Sequence, residues 1–124
     1  MDGSARYREI LSKQLAMNPQ TWAALQQRGV TEASQVRLDF AYACPNEARA
    51  QALRGLLAEQ TDYETSMRAE RGVLQRRWSV TGRTQATNIS AAILDQWVDW
   101  MVSAGLEHDC EFDGWGAAVP PPMT

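Results

Sequence analysis

The sequence is poor in the residues that most often build reactive or extracellular sites. Its 124 residues include two cysteines, Cys44 and Cys110, and one histidine, His108. Two cysteines are too few for a disulfide framework, and a lone imidazole limits catalytic and metal chemistry. No apolar run reaches the ~18 residues that a membrane span requires, and the N-terminus lacks a basic-then-apolar signal sequence. We therefore expect a cytoplasmic protein with reduced thiols and no membrane partner.

Positive charge is also in short supply. The net charge is -3, and among the twelve basic residues Lys13 is the only lysine. Because binding to a phosphate backbone requires clustered positive charge, we expect no direct nucleic-acid binding, whereas a basic protein partner stays possible. Five arginines lie along one predicted hairpin. They could form a binding patch, or they could be the solvated charges of an ordinary sheet edge. These are Arg68, Arg71, Arg76, Arg77 and Arg83.

The first thirty residues have helical periodicity. Apolar side chains from Tyr7 to Leu15 recur on one face, and Trp22 and Leu25 continue the pattern after an interruption at Asn18-Pro19. Asn is a preferred N-cap and Pro a preferred first helical residue, so the pattern predicts two short helices. Gly29 is a natural stop for the second.

Strand and helix patterns alternate in the rest of the chain. Alternating apolar residues predict strands near 36–42, 63–67, 74–80 and 110–117, with Glu70-Arg71-Gly72 as the turn of a hairpin. Pro45-Asn46 precedes a helix whose predicted inner face is Ala48, Ala52, Leu53, Leu56 and Leu57. Thr87-Asn88 is the predicted cap of another helix, whose predicted apolar stripe is Ile89, Ile93, Trp97, Trp100, Met101 and Ala104.

This order of elements predicts an α+β fold of the ferredoxin-like, split βαβ type (βαββαβ). Such a fold has a four-stranded antiparallel sheet with its helices on one face, here preceded by one or two N-terminal helices. We expect residues 1–30 to form a helical segment packed on the domain, 31–119 the domain itself, and 120–124 a proline-rich tail. The topology pairs the first and last strands, which would bring Cys44 close to Cys110.

The segment from Glu107 to Glu111 gathers His108, Asp109 and Cys110, a mixture that could bind a metal ion. A solvated acidic turn is the alternative, and it is favoured because neighbouring strand residues point to opposite faces and cannot converge. A nucleophilic cysteine needs an activating base, and His108 is the only histidine that could activate Cys44 or Cys110. We therefore predict no catalytic residue, no metal ligand and no cofactor.

Aromatic residues offer a different candidate site. Phe40, Tyr42, Trp78 and Trp115 could line a small-molecule pocket, although core packing is the simpler interpretation. Trp115 shares strand parity with Asp113, which would place it on the less buried face unless Gly114 introduces a bulge.

The segment Phe112-Asp113-Gly114-Trp115 resembles the closing signature of the regulators of ribonuclease E activity of type B, the RraB-like family. The strand over 36–42, the helix over 47–57, Tyr63 and Trp78-Ser79-Val80 resemble other parts of that family, so that the similarity covers residues 20–118. The chain lacks the long acidic C-terminal extension of better-known members.

The resemblance implies a ferredoxin-like fold and a non-enzymatic protein that binds ribonuclease E, or a related RNA-degrading complex, and modulates RNA degradation. A homodimer is a further expectation, because ferredoxin-like sheets often pair. The alternative function is a dimeric small-molecule-binding module. The predicted partner surface is acidic and would meet arginine-rich segments of the nuclease; it consists of Asp62, Glu64, Glu107, Asp109 and Glu111.

Overall fold

The computed structural model describes residues 3–71 and 76–117, which form three helices and six strands in chain order. The elements are α1 (Gly3–Gln27), β1 (Gln35–Val36), β2 (Leu38–Cys44), α2 (Glu47–Gln60), β3 (Glu64–Arg71), β4 (Arg76–Arg83), β5 (Thr87–Asn88), α3 (Ala91–Leu106) and β6 (Glu111–Ala117).

Four strands form one antiparallel sheet in the order β3-β4-β2-β6. The alternating residues of β2 are buried on one face, where Phe40 and Tyr42 meet side chains of both α2 and α3. The opposite face carries half-exposed residues such as Asp39. This is the split βαβ arrangement, and the predicted ferredoxin-like fold is confirmed.

A single N-terminal helix stands where two were predicted. α1 continues through Pro19, whose missing amide donor costs one helical hydrogen bond. Asn18 does not cap a second helix, since its side chain is buried and bonded to Asp95 and Trp115 instead. These bonds join α1 to α3 and β6 directly before the proline. Gly29 follows the helix end with φ 97°, which confirms the predicted stop.

The predicted cap of α2 is confirmed, but its inner face is partly different. The Asn46 side chain accepts a hydrogen bond of 2.9 Å from the Arg49 amide. Leu53 and Leu57 are buried as predicted, together with Ala50 in place of Ala48. The buried side chains are those that face the sheet, because α2 packs on β3 and β4.

α3 begins at Ala91, later than predicted. Its N-cap is Ser90, whose side chain accepts from the Ile93 amide at 3.2 Å. Thr87-Asn88, the predicted cap, instead forms β5 and pairs with β1 in a two-stranded sheet that was not predicted. The buried stripe is Leu94, Val98, Met101, Val102, Ala104 and Gly105. The predicted stripe was therefore wrong for Ile93 and Trp100, which are exposed.

The predicted hairpin is confirmed by the pairing of β3 with β4, from Glu64 opposite Arg83 to Arg71 opposite Arg76. The predicted turn was wrong for Glu70 and Arg71, which belong to β3 and pair with β4, and Gly72 lies outside the described residues. Arg68 forms an ion pair with Glu70, and Arg83 forms one with Asp39. Such pairs are typical of a solvated sheet surface.

The predicted tail at 120–124 also lies outside the described residues. In the described parts of the chain, no helix has the length and apolar character needed to cross a lipid bilayer.

Candidate functional site

A β-bulge shapes the segment Phe112–Trp115, called here the β6 motif. Tyr42 is opposite Phe112 and Ala41 is opposite Gly114, so one residue of β6 is left over between them. Gly114 has φ 144°, a conformation that side chains with a Cβ rarely adopt. The bulge reverses the strand parity, and both Phe112 and Trp115 pack against the core. Trp115 therefore faces the core, as expected for a strand with a bulge at Gly114, and does not lie on the less buried face.

The rings of the β6 motif meet α3 at Trp97. The ring centroid of Trp97 lies 6.1 Å from that of Phe112 and 6.1 Å from that of Trp115, both edge-to-face. Its Nε1 atom donates to the Tyr63 hydroxyl at 3.0 Å. This geometry gives the motif a structural role, because the two edge-to-face contacts pack β6 against α3.

A buried polar chain ties the same motif to α1. The Nε1 atom of Trp115 donates to Oδ1 of Asn18 at 2.9 Å, and Nδ2 of Asn18 donates to Asp95 at 2.9 Å. Asn18 is 3% exposed. Sequence reasoning missed this role because Asn before Pro is also a capping pattern, and nothing local distinguishes the two.

Tyr42 fills the space between β2 and the end of α3. Its hydroxyl donates to the Met101 carbonyl oxygen at 2.7 Å, and burial raises the pKa of this phenol. A Cβ on Gly105 would come within 2.5 Å of the Tyr42 ring. Gly105 lies inside α3, and its lack of a side chain makes room for this ring.

The aromatic residues proposed for a small-molecule pocket pack mostly on one another. Phe40 and Tyr42 are buried and in edge-to-face contact at 6.1 Å, and Trp115 is held by Trp97 and Asn18. Trp78 is half-buried beside the same cluster. This packing gives the small-molecule interpretation no support.

The five predicted partner carboxylates fall into two groups at opposite ends of the sheet. Asp62 and Glu64 are called here the β3-end carboxylates. They lie at the end of the sheet where β2 starts, because Glu64 is paired with Arg83 of β4, and Arg83 is paired with Asp39 of β2. Glu111 lies opposite Ala43, which is four residues or about 13 Å along β2 from Asp39, and it is on the far edge strand of the sheet from Glu64. The five residues do not form one continuous patch.

Most of these carboxylates already have arginine partners. Glu64 pairs with Arg37 at 2.7 Å. In the second group, the β6-end carboxylates Glu107, Asp109 and Glu111, Arg6 contacts both Asp109 at 3.6 Å and Glu111 at 3.1 Å. Exposed pairs of this kind contribute little to stability, and a partner's arginine could replace Arg6 or Arg37 at small cost.

Asp62 and Glu107 differ from the other three. Both are exposed, and neither has an ion-pair partner within 3–71 and 76–117. They are the two predicted residues most available to a basic ligand.

His108 and Cys110 do not assemble a metal centre with their neighbours. Among the described residues there is no group of three or more His, Cys, Asp or Glu side chains placed to hold an ion. Asp109 has φ 58° in the turn that ends α3, and the Cys110 amide bonds back to Gly105 at 2.9 Å. The segment is a helix-ending turn with acidic side chains.

The predicted proximity of Cys44 and Cys110 is confirmed. The pairing of Ala43 with Glu111 places the two cysteines side by side on β2 and directly before β6, and both side chains are buried. The Cys110 sulfur also donates to the His108 carbonyl oxygen at 3.4 Å. Interaction with the Cys44 thiol and burial raise the pKa of the Cys110 thiol, and interaction with Cys110 lowers the pKa of Cys44.

Comparison with known protein families shows which family the chain belongs to. A family model described as regulator of ribonuclease activity B (RraB) matches residues 15–117. The chain belongs to the RraB family. The match begins within α1 and ends with β6, so the RraB region contains Asn18, both carboxylate groups and the whole β6 motif. The resemblance predicted over 20–118 is confirmed. A search of curated proteins finds no match to the chain.

Proposed function

We propose that this RraB-family protein is a non-catalytic regulator that binds ribonuclease E in the cytoplasm and modulates RNA degradation. One observation carries the proposal: the match to a family of ribonuclease regulators spans residues 15–117. The family description concerns regulation of a ribonuclease, which fits a protein that acts by contact with that enzyme.

The described side chains favour binding over catalysis. Both thiols are buried and so are not presented to a substrate in solution. The residues of the β6 motif are used for packing, through Trp97 and Asn18, and so their role is to maintain the shape of the domain. A shape maintained in this way suits a regulator that acts by presenting a surface.

Negative charge supports a basic protein partner. The net charge of -3 and the exposed carboxylates favour an arginine-rich segment of the nuclease over RNA itself. Because the two carboxylate groups are about 13 Å apart along β2, a bound segment that contacts both must lie along the domain rather than across one end.

Retention of the purified protein on immobilised ribonuclease E from the same organism, followed by a salt titration, tests the proposal. We expect retention at low salt that weakens as salt rises, since the contacts between charged groups are screened. The double variant Asp62→Asn, Glu107→Gln should bind more weakly. Glu9→Gln, on the exposed face of α1, is the matched control. Absence of retention at low salt would end the proposal.

A further inference from the structure

Two large apolar side chains of α3 face solvent on the side of the helix that borders α2. Ile93 is 47% exposed and Trp100 is 39% exposed. They are seven residues apart, so they lie on one helical face about 10 Å apart. The α1 side of α3 is different, because Asp95 and Asp99 there bond to Asn18 and Tyr7.

Clefts adjoin both side chains. One has a volume of about 230 Å³ and lies between the helices; it is lined by Leu56, Gln60, Trp100, Ser103, Ala104 and Glu107. A second, of about 260 Å³, adjoins Ile93 and Trp97 and includes Asp62 and Tyr63. We call the surface of α3 that adjoins these two clefts, together with Leu56 of α2, the α2–α3 groove; its principal apolar side chains are Leu56, Ile93 and Trp100.

The rim of the groove is acidic. Asp62 and Glu107 line the two clefts, and Glu59 lies one helical turn from Leu56. None of the three has an ion-pair partner in the described parts of the chain. The arginines of α2 are engaged elsewhere, Arg49 with Asp109 and Arg54 with Thr65.

We infer that the α2–α3 groove binds a basic protein segment that carries bulky apolar side chains. Its apolar residues would cover Trp100 and Ile93, while its arginines or lysines pair with Asp62, Glu107 and Glu59. Resting on the proposed function, the inference assigns this segment to the ribonuclease. RNA is disfavoured because the rim would repel phosphates, and a second copy because two acidic rims would face each other.

The binding experiment uses the full chain and variants that remove one apolar side chain each. Trp100→Ser and Ile93→Ser should each weaken binding to ribonuclease E in calorimetry, Trp100→Ser by roughly thirtyfold if it is the central contact. Met17→Ser is the control, because Met17 is 54% exposed and lies on α1, outside the groove. Circular dichroism checks that each variant is folded. Wild-type affinity in both groove variants, with binding by the wild type intact, would overturn the inference and leave the proposed function standing.

A second arm tests the groove without the nuclease. A synthetic helical peptide with leucines on one face and arginines on the other is titrated into labelled protein and followed by NMR. We expect shifts at Leu56, Ile93 and Trp100, and none with the same peptide carrying glutamates for arginines. Three outcomes would contradict the inference. The two peptides could cause equal shifts, a single-stranded RNA could cause the groove shifts instead, or the groove shifts could depend on protein concentration alone. Peptide binding without nuclease binding would retain the groove but reject the proposed function.

Discussion

The indole Nε1 atom of Trp115 donates a 2.9 Å hydrogen bond to the Oδ1 atom of Asn18, joining β6 to the middle of α1. The bond links residues near the two ends of the chain, 97 positions apart. Asn18, which directly precedes Pro19 within α1, is held by Trp115 on one side and Asp95 on the other. The β6 motif thereby fixes the position of α1 on the domain.

Replacement of Asn18 tests this link. Asn18→Ala removes a buried side chain and leaves the half-buried indole N–H of Trp115 without this partner, and we expect the free energy of unfolding to fall by about 1–3 kcal/mol. Urea denaturation measures the change. Gln20→Ala, on the exposed side of the same helix, should change it by less than about 0.5 kcal/mol. Equal stability of the two variants would show that the bond does not hold α1.

The bulge in β6 predicts unequal effects at two nearby glycines. Gly114→Ala places a Cβ on a residue with φ 144°, which should cost about 1–3 kcal/mol of stability. Gly116 has open space around a Cβ and no positive φ, so Gly116→Ala should be tolerated. Thermal unfolding of the two variants compares them directly. A Gly114→Ala protein as stable as the Gly116→Ala protein would contradict the bulged geometry.

Local patterns in the sequence predict most of the elements of this fold. Alternation identifies β2, and Asn46 identifies the start of α2, because both signals depend on neighbouring residues alone. The failures occur where tertiary contacts decide. Asn18-Pro19 has the composition of a helix start, yet α1 is continuous there and Asn18 bonds to Trp115. Thr87 and Asn88 resemble a cap, yet they pair with β1.

The candidate site was less predictable than the fold. The composition of the acidic surface could be read from the sequence, but its division into two groups depends on strand register. The sequence did not predict the α2–α3 groove. Ile93 and Trp100 fit the helical spacing of apolar residues, and this spacing looks the same whether such residues are buried or exposed. Only the rotation of α3 on the sheet separates the exposed from the buried positions.

Burial of Tyr42 predicts a loss of stability in alkali. Burial raises the pKa of Tyr42 above the usual 10.0, so the unfolded chain loses this proton first. Its contribution is therefore present below about pH 10 and is lost as pH rises further, by about 1.4 kcal/mol per pH unit. Tyr42→Phe should cost about 1 kcal/mol near neutrality through the lost bond to Met101 and should flatten the alkaline slope. An unchanged slope in this variant, measured by urea denaturation at several pH values, would contradict the assignment.

Strand register predicts that Cys44 and Cys110 can be cross-linked. Ala43 is opposite Glu111, so the next two residues are also opposite, at the ~4.5–5.5 Å Cα separation of antiparallel pairs. That distance suits a disulfide. Refolding with diamide, which accepts the two electrons and two protons released by the thiols, should give an intramolecular bond and a mass lower by two hydrogens. Cys44→Ala should give none. Only intermolecular products from the wild type would contradict the register.

The most direct test of the central claim is the rate at which purified ribonuclease E cleaves a defined RNA as this protein is added. We expect the rate to change in a saturable way that ends at a stoichiometric complex, no cleavage by the protein alone, and a rightward shift of the titration for Trp100→Ser. A cleavage rate that stays constant while the added protein greatly exceeds the nuclease would contradict the account.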